Sequence, residues 1–153
     1  MNTISPRGYS AIGLDNPKCN HNVGSVLRAA GVYGSSVVIT SGQRYKPACT
    51  DTMKAWRRMP LINGVNDLKT HIPHGAIPVA IDLVDDAQSL ITFKHPERAF
   101  YIFGAEDATL GKRVLSWCRD VVYVPTDRCM NLAATVNVVL YDRLAKDHLK
   151  HND

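Results

Sequence analysis

No apolar run in this 153-residue chain reaches the roughly 18 residues that a membrane-spanning helix needs, and residues 1–10 lack the charged-then-apolar layout of a signal peptide. A cytoplasmic protein without a membrane partner is expected. Cysteine is scarce and scattered: Cys19, Cys49, Cys118 and Cys129 contain no Cys-x-x-Cys pair, so they read as plain thiols of a reducing compartment. Cys19 and His21 form the one tempting cluster, but no second pair follows at ligand spacing, so no metal is expected. The GxGxxG and P-loop patterns are both missing, which argues against a dinucleotide fold and a nucleotide hydrolase. Repeats, low-complexity tracts and linkers are missing too, so residues 1–153 are expected to form one domain. With 45% hydrophobic and 21% charged residues, such a domain can build its own core without a disulfide or metal.

What is present is a series of short apolar runs, at Ala11 to Leu14, Ser36 to Thr40, Ile77 to Leu83, Ala99 to Phe103 and Val121 to Val124. They are apolar throughout rather than alternating, as strands buried on both faces are. Helical patterns lie between or after them, at Asn22 to Tyr33, Thr50 to Arg58, Val65 to His71, Leu110 to Arg119 and Leu132 to His148. Together they predict an α/β fold, a mostly parallel sheet with helices on both faces. Ligands of such sheets bind where strands end, which directs attention to residues 15–21, 103–107 and 125–131.

Two features carry charge. In the segment Asn22-Val23-Gly24-Ser25-Val26-Leu27-Arg28, the spacing predicts Asn22 as a helix N-cap and puts Val23, Val26, Leu27 and Ala30 on one apolar face. Arg28 leans off that face, either to bond a helix end or carboxylate, or to meet a ligand. The net charge of +4 is concentrated in part at Arg44, Lys46, Lys54, Arg57 and Arg58, beside Tyr45 and Trp56. A basic, aromatic-bearing patch suits a phosphate backbone and exposed bases, and equally a solvated face with a half-buried Trp.

Three segments, in order, resemble the motifs of the SpoU (TrmH-like) class of SPOUT RNA methyltransferases. Asn22 to Ala30 with Tyr33-Gly34 is similar to the first motif, an Asn followed six residues later by an Arg; Phe103-Gly104-Ala105-Glu106 is similar to the second. Val124-Pro125, Cys129-Met130-Asn131 and Leu140-Tyr141-Asp142 are similar to the third. The match spans residues 11 to 145. Two positions depart from the pattern: Thr109 stands where the family has Gly, and Cys129 where it has Ser. The loop from Val124 to Asn131 is also shorter than in many relatives.

The resemblance implies a minimal SPOUT fold with a C-terminal deep trefoil knot, a homodimer through the first and last helices, and S-adenosylmethionine as cofactor. It implies contacts to that cofactor from Ile81, Leu83, Gly104, Val124, Cys129 and Met130. Arg28, Asn22, Glu106 and Asn131 become the catalytic candidates, and Arg44, Lys46, Arg57 and Arg58 the RNA-binding ones. Arg28 would handle a ribose 2′-hydroxyl, either as general base or by gripping the adjacent phosphate; the second avoids deprotonating a guanidinium whose pKa exceeds ~12. Glu106 would partner that guanidinium, or cap the helix near Leu110. The implied activity is ribose 2′-O-methylation of RNA, with a tRNA stem-loop favoured over ribosomal RNA. The alternatives are a knotted enzyme that methylates a base nitrogen, and a knotted RNA-binding dimer without activity.

Overall fold

The computed structural model describes residues 8–45 and 57–151. Seven strands form one parallel sheet: β1 (Tyr9–Leu14), β2 (Val38–Ser41), β3 (Leu61–Val65), β4 (Ile77–Ile81), β5 (Gln88–Ser89), β6 (Arg98–Phe103) and β7 (Asp120–Tyr123), in the spatial order β3-β2-β1-β6-β4-β7-β5. The helices are α1 (Asn20–Val32), the short α2 (Gly111–Leu115) and α3 (Leu132–His151), with single 3-10 turns at Leu68–His71 and Leu90–Thr92.

The central strands are buried on both faces because successive side chains point to opposite sides. Ile12, Leu14, Tyr101 and Phe103 pack toward α1 and α3 with Val23, Val26, Leu27, Val136 and Leu140. Ala11, Phe100, Ile102 and Ala80 face the other way, against Leu68, Leu110 and Val114. Gly13 makes room for this second layer, since a Cβ there would lie 2.8 Å from the Phe100 ring. α1 and α3 pack against each other on one face, so their N-termini sit beside the strand exits.

Several elements differ from the expectation. β3 and β5 carry no sustained apolar run, and both are edge strands held by one neighbour, where less burial is demanded. The helix expected over Val65 to His71 is the end of β3 followed by a 3-10 turn, which the Asp67 side chain caps by accepting from the Lys69 N–H. The helix expected over Leu110 to Arg119 shrinks to Gly111–Leu115. The one expected over Thr50 to Arg58 lies outside the described residues except at its last two positions. α1 begins at Asn20 with Cys19 as N-cap, so Asn22 belongs to the first turn and is not the cap.

Below the sheet's amino ends α3 carries a buried polar group. The His95 side chain, 5% exposed, lies between Tyr101 and Asp142, with Nδ1 to Tyr101 Oη at 2.7 Å and Nε2 to Asp142 Oδ2 at 2.8 Å. Arg143 Nη1 donates to Tyr101 Oη (3.1 Å) and Lys146 Nζ to Asp142 Oδ2 (2.7 Å). A neutral imidazole satisfies every partner: Tyr101 donates to Nδ1, and Nε2–H donates to the carboxylate. Burial pulls the His95 pKa down to about 4; Asp142 opposes this, while Lys146 and Arg143 assist it. The folded state therefore resists a proton that the unfolded chain takes up near pH ~6.5, and stability falls as pH drops from there toward the folded value. The expected loss is on the order of 3 kcal/mol. Thermal unfolding between neutral and mildly acidic pH checks it: the wild type should lose stability steeply, whereas His95→Gln should start less stable and show a shallower slope. Equal slopes would refute the assignment to His95.

Candidate active site at three strand exits

The loops after β1 and β6 meet through one carboxylate, and Asn22 on α1 links them to the loop before α3. Glu106, just past β6, accepts from the Lys18 N–H at 3.0 Å, the Cys19 N–H at 3.2 Å and Asn22 Nδ2 at 3.0 Å. α1 has no acidic residue in its first turn and no side-chain cap of its own, so this carboxylate from another loop supplies the negative end that a helix N-terminus favours. Burial opposes ionisation of Glu106, but the bonds from Asn22 and the backbone N–H groups outweigh it and hold the carboxyl below its usual range.

Asn22 continues the chain of contacts. Its Oδ1 accepts from Asn131 Nδ2 at 3.0 Å. Asn131 in turn is the N-cap of α3, its Oδ1 accepting from the N–H groups of Ala133 (2.9 Å) and Ala134 (3.2 Å). Glu106, Asn22 and Asn131 thus form one hydrogen-bonded line, joining segments 84 and 109 residues apart in sequence.

Beside this line opens a cavity of about 420 Å³, within the usual range of small-molecule sites. Ile81, Leu83, Gly104, Val124, Cys129 and Met130, the six residues singled out for a cofactor, all line it, together with Glu106 and Thr135. Its walls are apolar at Ile81, Val124 and Met130. Gly104 eases its own turn, since a Cβ there would lie 3.0 Å from the Ala108 carbonyl oxygen, tighter than an ordinary contact. Asp82, which no motif marks, ties the cavity wall to the turn before α2: Oδ1 accepts from the Leu83 N–H (2.9 Å) and Oδ2 from the Leu110 N–H (3.1 Å). Its position at the very end of an apolar strand was the available signal. Among the described residues no three His, Cys, Asp or Glu side chains group as a metal site requires.

The remaining candidates lie elsewhere. Arg28 is exposed on α1 and makes no hydrogen bond or ion pair among the described residues. The expected Glu106 to Arg28 pairing is not formed, nor does Glu106 cap the helix near Leu110, because its carboxylate is taken up by Lys18, Cys19 and Asn22. Arg44 forms an ion pair with Asp107 at 2.9 Å. Arg57 and Arg58 are exposed, and Lys46 lies outside the described residues.

The SpoU rRNA methylase family profile matches residues 10–141, most of the chain and all three strand exits. The chain belongs to the SpoU rRNA methylase family. No match is found among curated proteins. Solved structures match in fold at low identity. The SpoU methyltransferase AviRb of Streptomyces viridochromogenes, in complex with AdoMet, is 18% identical with a TM-score of 0.79, over 94% of this SpoU chain and 63% of AviRb. This chain therefore spans less than two thirds of that protein's length. A structure described as concerning 2-OH methylation of C/U34 on tRNA is 20% identical with a TM-score of 0.80, over 92% of this chain and 97% of the other. The A. aeolicus TrmH/SpoU tRNA modifying enzyme is 15% identical with a TM-score of 0.79, over 95% and 78%. Among the described residues of the SpoU chain, no helix is long and apolar enough to cross a membrane.

Proposed function

We propose that this SpoU protein binds S-adenosylmethionine in the crevice at the exits of β4, β6 and β7 and methylates a ribose 2′-hydroxyl of tRNA. The observation that carries this reading is the line Glu106, Asn22 and Asn131, which braces Glu106 at the wall of a cavity whose apolar faces at Ile81, Val124 and Met130 suit an adenosine. The cofactor, when bound, supplies a methyl group on a positively charged sulfur. The family's knotted threading of the C-terminal segment would enclose it.

The protein's tasks are then to hold the two reactants in line, exclude water and direct one proton. Asn131 and Asn22 keep the start of α3 and α1 in register with the cavity. Arg28, with no partner among the described residues, grips the phosphate next to the target ribose and orients the hydroxyl, whose proton leaves through that phosphate or water as the carbon–oxygen bond forms and the carbon–sulfur bond breaks. The tRNA assignment draws on the relative described by 2-OH methylation on tRNA, which matches this chain nearly end to end. A dimer through α1 and α3 is supported by the apolar side chains those helices leave exposed: Val32 at 62%, Tyr141 at 60% and Val138 at 38%.

Isotopically labelled S-adenosylmethionine, total tRNA and purified protein test the reading, with the nucleosides resolved by mass spectrometry. Label is expected in a 2′-O-methylated nucleoside. Label in a methylated base, or in no nucleoside of the tRNA, would overturn it.

A further inference from the structure

Arg44 was singled out as an RNA contact, yet its donors are already occupied. Nη1 donates to Asp107 Oδ2 at 3.0 Å and Nη2 to Asp107 Oδ1 at 2.9 Å, a fork-on-fork pair. Nε (3.3 Å) and Nη2 (2.8 Å) also donate to the main-chain oxygen of Asn16. These bonds engage four of the five N–H groups a guanidinium carries, leaving little for a phosphate.

The loops they join are informative. Asn16 follows β1 with φ of 54°, a left-handed conformation that a non-glycine residue adopts only when held; its N–H donates to Ser41 Oγ at 3.0 Å, and Ser41 donates to Asp15 Oδ1 at 3.0 Å. Asp107 is the neighbour of Glu106, whose carboxylate fixes the start of α1 and Asn22. Arg44 itself leaves β2 at the head of the stretch containing Lys46, Lys54, Arg57 and Arg58. One side chain therefore spans the exits of β1, β2 and β6.

We propose that Arg44 is a positioning residue for the cofactor crevice: paired with Asp107 and the Asn16 carbonyl, it holds the Glu106 turn in place. It does so instead of serving as a phosphate contact. The hydrogen bond between the two keeps each charged, raising the basicity of Arg44 and depressing the pKa of Asp107. Because both side chains are well exposed, at 36% and 46%, the latch is expected to weaken with salt.

The inference rests on the crevice being the cofactor site, and the two roles for Arg44 make opposite predictions at Asp107. If Arg44 is a latch, Arg44→Ala and Asp107→Ala each weaken S-adenosylmethionine binding by about threefold to tenfold at low salt. The double variant is then no worse than either single. Arg44→Lys, which keeps the charge but loses the fork, resembles Arg44→Ala, and Arg44→Asp combined with Asp107→Arg recovers only part of the affinity, because the bonds to the Asn16 carbonyl stay lost. Calorimetry with S-adenosylmethionine reads all five variants, and filter binding with tRNA runs alongside. If Asp107→Ala binds the cofactor like the wild type and RNA as well or better, while Arg44→Ala loses only RNA affinity, Arg44 is a phosphate contact and the latch is wrong. If the wild type binds no S-adenosylmethionine, the cofactor reading of the crevice fails first and the latch fails with it.

Discussion

Arg28→Ala is expected to lower the rate of methyl transfer by about a hundredfold or more while leaving S-adenosylmethionine affinity and thermal stability nearly unchanged. The separation follows from where the residue stands. Arg28 is exposed on α1, outside the cavity lining, and touches none of the polar groups that brace the cavity. Removing it opens no cavity in the core and leaves no buried donor unpaired, so the fold should not notice. What is lost is the only fixed positive charge that the first motif can offer to RNA. Arg28→Lys tests whether the grip on the phosphate needs the planar guanidinium. A phosphate grip keeps part of its strength with an ammonium and should retain measurable activity, raising KM for RNA more than it lowers kcat. A geometry that needs the planar fork would lose as much as alanine does. Wild-type turnover by Arg28→Ala would remove the residue from the mechanism.

Asn131→Ala should behave differently, damaging cofactor binding and transfer together and lowering stability as well. The Asn131 side chain does two jobs at once: Oδ1 caps α3 at the Ala133 and Ala134 N–H groups, and Nδ2 donates to Asn22. Loss of the cap alone costs about 1 kcal/mol. Loss of the Asn22 contact frees one end of the line that ends at Glu106, so S-adenosylmethionine affinity should fall by roughly tenfold. Asn131→Asp separates the two effects, since a carboxylate still caps the helix but cannot donate to Asn22. It should keep the melting temperature and still lose cofactor affinity. A variant that loses stability but binds the cofactor like the wild type would show that Asn131 serves the helix only.

How much of this was legible in the sequence depends on which force fixes each element. Strands β1, β2, β4 and β6 are largely buried by helices or neighbouring strands, so their apolar runs announced them to within two residues or so. β3 and β5 are held at the sheet's edges mainly by backbone pairing, which leaves no side-chain pattern to read. Gly104, Cys129 and Met130 were found because strand exits and motif resemblance pointed to the same loops, with Val124 just before one of them; Ile81 and Leu83 came from the resemblance alone. The cap of α1 was not, because Glu106 reaches it from 87 residues away and a local capping pattern favours the nearer Asn22. Arg44 illustrates the same limit. A run of basic residues looks uniform in sequence, but only folding shows that the first of them already has an acidic partner 63 residues on.

Calorimetric titration of S-adenosylmethionine into the wild type and into Leu83→Arg tests the crevice most directly, because Leu83 lines the cavity yet is 76% exposed, so that its replacement spares the core. The wild type should bind one molecule per chain saturably, and the arginine, which would fill the opening and repel the positively charged sulfur, should abolish binding with the melting temperature unchanged. No saturable binding by the wild type, or equal binding by both proteins, would contradict a cofactor site at the exits of β4, β6 and β7.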